Sequence, residues 1–585
     1  MKNSRFHRWF PAFLVGSVLT VALMSTQAEP VVIDLRGERA DGTVYFDKEK
    51  TYGGMALAAG DLDGNGIDEI ILGAPLDQQE RGRVVILFNL SLDQVPMMWD
   101  LASLPPDVET ATILGLKRDD WFGFSLAVGD FNADGRNDLA VGAPNANDPS
   151  LGKWELAGIV YVFQGGGTAL TPGEHDAGAA SIALHGAGRC DGVGTEIAFG
   201  DLNGDTIDDL VTTARFGDRK KTREYLDRVY VTYGSLDSLD PPEGKAVVNL
   251  QDSCDLFLHS VYSNQFASTN SNSLAVRDVI GDSIPDLIVG CQYGYGRYGW
   301  VYVLRGTDDP LRRTINLHKE ADIAIRDSYK ADYLGATVEA GDIDGDGDID
   351  LVLGASAGYS SQRGEVFLLL AKGKPDPPEP VRFTVGDNEI PFYDLHVIHG
   401  YTKYENIGRG LAVDDWNSDG IDDIAVGAIR GRDAEADDVH GRLYLIPGQP
   451  TWPEGFVQID SIPNLVTIIG ETKRDEFGMA LAFGRLAAGP FVMTSAWLGD
   501  GPANARGRCG EVFLFSQWLA ALTPTGLRAH LDRRPDAKDL YLLSRRWMTP
   551  ADPQDRRLDN LPERLIGPED LREFYRQKRQ PVTPR

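Results

Sequence analysis

Five stretches of this 585-residue chain place oxygen-bearing side chains at alternate positions of a short loop: DLDGNGIDE (Asp61–Glu69), DFNADGRND (Asp130–Asp138), DLNGDTIDD (Asp201–Asp209), DIDGDGDID (Asp342–Asp350) and DWNSDGIDD (Asp415–Asp423). The form is Asp-x-(Asp/Asn)-x-(Asp/Asn)-x-x-x-(Asp/Glu). Positions 1, 3, 5 and 9 offer side chains and position 7 a backbone carbonyl, a spacing that suits calcium, which takes six to eight oxygens at about 2.3–2.6 Å. Crowded carboxylates repel one another unless a hard cation sits among them. The sixteen carboxylates assigned as ligands would be offset in part by five calcium ions.

Numbered by repeat unit, the ligand set of loop one is Asp61, Asp63, Asn65, Glu69 and the Ile67 carbonyl. Loop two offers Asp130, Asn132, Asp134, Asp138 and the Arg136 carbonyl, and loop three Asp201, Asn203, Asp205, Asp209 and Ile207. Loop five offers Asp342, Asp344, Asp346, Asp350 and Asp348, and loop six Asp415, Asn417, Asp419, Asp423 and Ile421. Gly66, Gly135, Gly347 and Gly420 stand at position 6, where the chain reverses; loop three has Thr206 there and is expected to bind more weakly. Loop four keeps Asp278, Asp282 and Asp286 but has Ile280 at position 3, and is expected to be empty or weak. Loop seven, Arg485-Leu486-Ala487, lacks the chemistry. The expected load is four to five Ca2+ ions. An EF-hand needs Glu at position 12, where this chain has Leu72, Val141, Thr212, Leu353 and Val426.

The elements that position these loops repeat as well. Unit two reads WFGFSLAVGD, acidic loop, LAVGAP, GIVYVF and, after a linker, SIALHG. Those are four short apolar strands separated by Gly, Pro and Asp turns. Loop starts or their equivalents fall at Asp61, Asp130, Asp201, Asp278, Asp342, Asp415 and Arg485. Seven units, each a four-stranded antiparallel sheet, predict an all-β, seven-bladed β-propeller over residues 29–516. GTVYFDKEKTYGG (Gly42–Gly54) is an outer strand with no blade before it, and the last unit stops at GEVFLF (Gly510–Phe515) without one. Pairing the two closes the ring and removes a sheet edge.

Lys2, Arg5 and Arg8 precede an apolar run from Trp9 to Met24, and Ala28 ends a small-residue cleavage pattern. Residues 1–28 therefore read as a signal peptide, with a signal anchor as the rival. Export places the chain outside the cell, on its surface or in a periplasm. No later apolar run is long enough to span a bilayer, and the net charge of −30 argues against a nucleic-acid partner. Cys190, Cys254, Cys291 and Cys509 allow three full pairings or free thiols and fit no zinc spacing. Residues 517–585 leave the repeat pattern as an Arg- and Pro-rich extension, partly helical, including PEDLREFYRQKR (Pro568–Arg579).

Phe122-Gly123, the acidic loop and Gly142-Ala143-Pro144 together resemble the FG-GAP repeat of integrin α-subunit propellers, also found in glycosylphosphatidylinositol phospholipase D. Tyr52-Gly53 with Gly73-Ala74-Pro75, and Phe477-Gly478, match the same landmarks. Asn270-Ser271 in unit four and Thr213-Ala214-Arg215 in unit three depart from them. The resemblance implies a free-standing propeller.

No HExxH, nucleophile elbow or phosphate loop is present. Residues 294–299 (GYGRYG) match a dinucleotide motif by letters only and lead into a strand. His185, His259 and His399 share one repeat position and so fall on separate blades. Opposite the metal loops, the second-to-third-strand loops of units three and four carry Arg215, Lys220, Lys221, Arg223, Tyr225, Tyr293, Tyr295, Arg297 and Tyr298. Arg and Tyr are favoured at binding hot spots, so this face suits a protein or anionic glycan; ordinary solvated loops are the plainer alternative. The expected function is a secreted, non-catalytic adhesion or protein/glycan-binding module. The alternative is an extracellular propeller enzyme, a lyase or hydrolase acting on polysaccharides or phospholipids.

Overall fold

The computed structural model describes residues 31–516 apart from short internal stretches, the longest at 215–227 and 260–272. Seven sheets are present, each built on one acidic-loop unit or its relic. In blade two the strands are Leu126–Gly129, Asp138–Ala143, Ile159–Phe163 and Ile182–His185, all antiparallel. The second and third strands are buried along their whole length, because neighbouring blades cover both faces of each sheet. That is why LAVGA and IVYVF read as continuous apolar runs and not as alternating ones.

Each sheet has five strands where the repeat predicts four. The fifth is parallel and comes from the linker of the following unit: Gly173–Asp176 of unit two lies along Glu109–Leu114 of blade one. Sequences such as GEHD are largely exposed and carry no apolar pattern. Their role is to cover the backbone edge of the outer strand, and backbone hydrogen bonds supply the pairing.

The ring closes twice. Gly42–Tyr45 pairs antiparallel with Glu511–Ser516, with Gly42 opposite Leu514 and Tyr45 opposite Glu511, and completes blade seven. Val31–Asp34 pairs in parallel with Val466–Ile469 as the fifth strand of blade six. Buried Asp41, between these strands, accepts from the Ser516 amide at 2.9 Å and its hydroxyl at 2.8 Å. The start of the described chain is thus sewn into two blades at the far end of the sequence.

Blades meet through paired glycines. A side-chain carbon at Gly73 would clash with the carbonyl of Gly123 in the next blade, and the same holds for Gly142 against Gly194 and Gly354 against Gly408. One glycine comes from the GAP landmark and the other, at positive φ in each case, from the FG landmark. The motif marks the place where two backbones touch. Cys254, Cys291 and Cys509 are buried. Residues 1–28, residues 517–585 and Cys190 lie outside the described residues.

Candidate metal centres

Every acidic loop joins the first and second strands of its blade, and its first Asp folds it. In loop one, Asp61 Oδ1 accepts from the amides of Gly64 (2.7 Å) and Asn65 (3.0 Å), and Oδ2 from Gly66 (2.7 Å). Asp342 does the same with Gly345 and Gly347 at 2.7 and 3.0 Å. Asp130, Asp201 and Asp415 bind the amides of their fifth and sixth residues at 2.7–3.1 Å. Gly66 has φ of +82° and Gly347 +92°; Thr206 takes +71° at this turn, a conformation that costs a non-glycine residue about 1–2 kcal/mol.

The ninth residue is the buried end of each site. In loops two, three and five, one oxygen of Asp138, Asp209 or Asp350 accepts from the amide of the second loop residue, at 3.0, 2.8 and 3.1 Å. The other oxygen accepts from Gly165, Gly234 or Ala371 at the end of the third strand, at 2.8, 2.9 and 2.7 Å. Asp423 makes the equivalent pair with Asn417 and Gly448 at 2.9 Å each. Glu69 breaks the pattern: Oε2 accepts from Leu62 at 2.8 Å, and Oε1 is buried without a partner among the described residues. Burial first, and then the neighbouring loop aspartates, push Glu69, Asp138 and Asp423 up to about 7. The same causes push Asp209 and Asp350 up to about 8.

Two loops bring three carboxylates together among the described residues. Oxygens of Asp61, Asp63 and Glu69 lie within 4.8 Å of one another, as do those of Asp342, Asp344 and Asp350. These donor sets fit a hard cation: all are oxygens, and the orphaned Glu69 Oε1 is short of a positive partner. Loops two, three and six hold Asn at position 3. Asn132, Asn203 and Asn417 donate their side-chain amides to Asp134, Asp205 and Asp423 at 3.1, 3.0 and 2.9 Å. Asp346 of loop five accepts from the Asp348 amide at 2.9 Å and lies outside the three-carboxylate group.

Loops four and seven differ for visible reasons. Arg305, just after the third strand of blade four, pairs with Asp282 at 2.9 Å and supplies a positive charge within the chain. In blades one and two the fifth loop residue instead meets an uncharged amide: Asn65 donates to Asn89 at 3.2 Å, and Gln164 donates to Asp134 at 3.0 Å. In blade seven the first and second strands meet in a tight hairpin, with Leu486 opposite Gly489, and no room for a nine-residue loop.

The eighth loop residue escaped the sequence reading. The Asp208 carboxylate accepts from the Asp130 amide of the preceding blade at 2.9 Å, and its own amide donates to the Asp130 carbonyl at 3.1 Å. Asp422 makes the same pair with Asp342, both at 2.9 Å, and Asp68 with Arg485, at 2.7 and 3.0 Å. The recurring acid at position 8 of loops one, three and six was the available signal.

On the opposite face, Arg215, Lys220, Lys221, Arg223, Tyr225, Tyr295 and Arg297 lie outside the described residues. Tyr293 is exposed and packs edge-on against Tyr333 at 5.1 Å; Tyr298 is half-buried under the Arg326 guanidinium, 5.0 Å away. His185, His259 and His399 each end the fourth strand of a separate blade.

Fold and loops define a seven-bladed propeller with acidic turns on one face. The chain carries FG-GAP repeats: the FG-GAP repeat model matches residues 53–87, 122–163 and 193–232. It is distantly similar to integrin α subunits, with 28% identity to Drosophila melanogaster integrin alpha-PS2 over 254 residues, 41% of this chain and 15% of that one. It is 33% identical to Homo sapiens phosphatidylinositol-glycan-specific phospholipase D over 171 residues, 28% of this chain and 18% of the relative. With the Dictyostelium discoideum protein of that name it shares 24% over 390 residues, 64% of this chain and 39% of the relative. The chain therefore spans well under half the length of each of these relatives. Among the described residues no helix is long and apolar enough to cross a membrane.

Proposed function

We propose that this protein is an exported, calcium-stabilised propeller that acts as a non-catalytic adhesion or protein/glycan-binding module. The observation that carries the calcium part is the convergence of Asp61, Asp63 and Glu69, with a buried oxygen of Glu69 left unpartnered among the described residues. Loops one and five are the leading sites, followed by loops two, six and three, for four to five ions in all. Bound calcium would neutralise carboxylates that burial otherwise drives toward protonation. The chain's own part is to hold the first and second strands of each blade around that charge, so that metal binding becomes folding free energy. Calorimetric titration of the chelator-stripped protein tests this: fewer than two bound ions per chain, or a melting curve indifferent to chelator, overturns it.

The binding role is supported by the repeat's similarity to integrin α subunits and by exposed Tyr293 on the face away from the metal loops. The protein or anionic glycan partner is assigned to that face. Arg223→Ala with Tyr293→Ala is expected to abolish capture of extracellular-matrix protein or acidic polysaccharide while leaving calcium stoichiometry intact. A second reading, enzymatic action on phospholipids or polysaccharides, is favoured by the similarity to phosphatidylinositol-glycan-specific phospholipase D. Release of a glycosylphosphatidylinositol-anchored reporter, or shortening of a polysaccharide, by the purified chain decides for it.

A further inference from the structure

An open groove of about 880 Å³ lies between residues 48–52, before the first strand of blade one, and Leu76–Arg81, between that blade's second and third strands. Both segments belong to the face away from the metal loops. The root of the groove is fixed by Arg83, buried and ion-paired to Asp77 at 2.7 Å and to Asp47 at 2.6 Å.

One wall is strained. Gln78, Gln79 and Glu80 have φ of 50°, 65° and 65°, a left-handed turn of three consecutive non-glycine residues. Lys50 and Tyr52 across the groove, at 60° and 51°, share a conformation that recurs at Asp119 and Trp121, Tyr404 and Asn406, and Arg474 and Glu476 and so belongs to the repeat. Residues other than glycine visit this region singly, at about 1–2 kcal/mol each. Such strain persists only where the surroundings over-determine it, and it clusters at ligand clamps. Here the turn is held by its edges: the Gln78 amide donates to Asp77 Oδ1 at 2.6 Å and the Gly82 amide to the Asp77 carbonyl at 3.1 Å. Trp121 of blade two donates its indole N–H to the Glu80 carboxylate at 3.0 Å. The side-chain amides of exposed Gln78 and Gln79 take no part in this holding among the described residues. The turn is locked, and two amides are presented to the groove.

The lining restricts what fits. Lys48, Lys50 and Arg81 balance Glu49, Asp77 and Glu80, so no charged ligand is drawn in by net attraction. Tyr52 and Leu76 are its main apolar members, too few for a lipid chain. Tyr52 is set in place by Trp497, 5.6 Å between ring centres, and by Arg508, whose guanidinium donates to the phenol at 3.4 Å. Paired amides, carboxylates and ammonium groups around one fixed aromatic ring suit an uncharged, hydroxyl-rich molecule with an apolar ring face.

We propose that this groove binds a neutral oligosaccharide, with Gln78 and Gln79 hydrogen-bonding sugar hydroxyls and Tyr52 packing against a sugar ring. The inference rests on the reading that this face of the propeller binds ligands, and it adds, at blade one, a site for a neutral ligand separate from the Tyr293 surface assigned to a protein or anionic glycan. The test uses the full, calcium-loaded chain against a panel of neutral hexose and N-acetylhexosamine tetrasaccharides, with uronic-acid tetrasaccharides alongside. The Gln78→Gly/Gln79→Gly variant removes both amides at positions where glycine is conformationally at home. Its melting temperature should equal or exceed the parent's, while affinity for the best neutral sugar falls at least about 10-fold. Raising salt from about 50 mM to about 0.5 M should change that affinity less than about threefold. The proposal is overturned if no neutral tetrasaccharide binds at about 1 mM, if the uronic-acid sugars bind better, or if the double variant keeps full affinity. Capture of a matrix protein with no sugar binding sinks the groove alone and leaves the binding-module reading standing; binding of neither sinks both.

Discussion

Asp208 and Asp130 belong to neighbouring blades and are joined by two hydrogen bonds, amide to carbonyl at 3.1 Å and amide to carboxylate at 2.9 Å. Asp130 is also the residue around which its own acidic loop folds. One blade's acidic loop is therefore clamped by the next blade's eighth loop residue. Where that residue is Pro285, in blade four, no amide is present to donate.

Asp208→Ala removes the carboxylate that receives the Asp130 amide. The expected loss is about 1–3 kcal/mol of unfolding free energy, with part restored by Asp208→Asn. Denaturant unfolding at fixed calcium measures it, and the loop-two ion should also bind more weakly. A loss confined to stability, with calcium affinity unchanged, would separate the clamp from the metal site.

Glu69→Gln should act in opposite directions with and without metal. In calcium the variant loses one ion from the calorimetric stoichiometry and melts lower. In chelator it melts at or above the parent, because a buried carboxylate near Asp61 and Asp63 has become neutral. A drop under both conditions would mean that Glu69 works mainly through its bond to the Leu62 amide. Asp346→Ala is expected to lower both stoichiometry and melting temperature through loop five.

Blade seven supplies a pH prediction. The third strand begins with Arg83, Arg228 and Arg442 in blades one, three and six, each ion-paired with an acid. Blade seven has Glu511 there, facing Asp475, Glu471 and Asp500, with Cys509, Tyr45 and Arg506 nearby. Burial, with Asp475 next, pushes Glu511 up to about 8, and burial pushes Asp475 up to about 7. Both folded-state values exceed the ordinary carboxylate values, so the folded state holds extra protons. Stability is then fully present below the ordinary values and is lost as pH rises toward 8. Glu511→Gln should flatten that slope and gain about 1–3 kcal/mol at the alkaline end. Melting curves across the neutral range of pH check it, and an unchanged slope would refute the assignment.

Gly73→Ala places a methyl group against the Gly123 carbonyl of the next blade. Separating two backbones in a closed ring should cost about 3 kcal/mol or more. Gly373→Ala, at a glycine of φ +75° with open space around it, is the conformational control, because Gly73 itself is not at positive φ. The two variants separate the steric effect from the conformational one.

Much of this architecture was legible in the residues. The spacing of the acidic loops gave the period, and the period gave seven blades. The orphan strand at Gly42–Tyr45 disclosed the closure, because an outer strand without a blade must complete one elsewhere. The two departures from the FG-GAP landmarks also fall together. By repeat register the partner of Thr213 is Ser271, which lies outside the described residues, so a lost glycine in one blade coincides with a lost glycine in the next. The fifth strands were not legible, since GEHD at Gly173–Asp176 pairs through backbone alone and leaves no apolar signature.

The chain's own letters therefore determined which side chains share a loop, how many loops there are, and which of them lack an acid at a key position. Those are local facts, set by spacing along a single strand–turn–strand unit. Only the folded ring decided that Arg305 serves Asp282, that Glu69 keeps an unpartnered oxygen, that Asp208 grips Asp130 across a blade boundary, and that Tyr52 shares a groove with a strained glutamine turn. Each joins segments from 23 to 78 residues apart, or depends on how deeply an atom is buried. Spacing within one unit specifies neither, because both are set by how the blades close on one another.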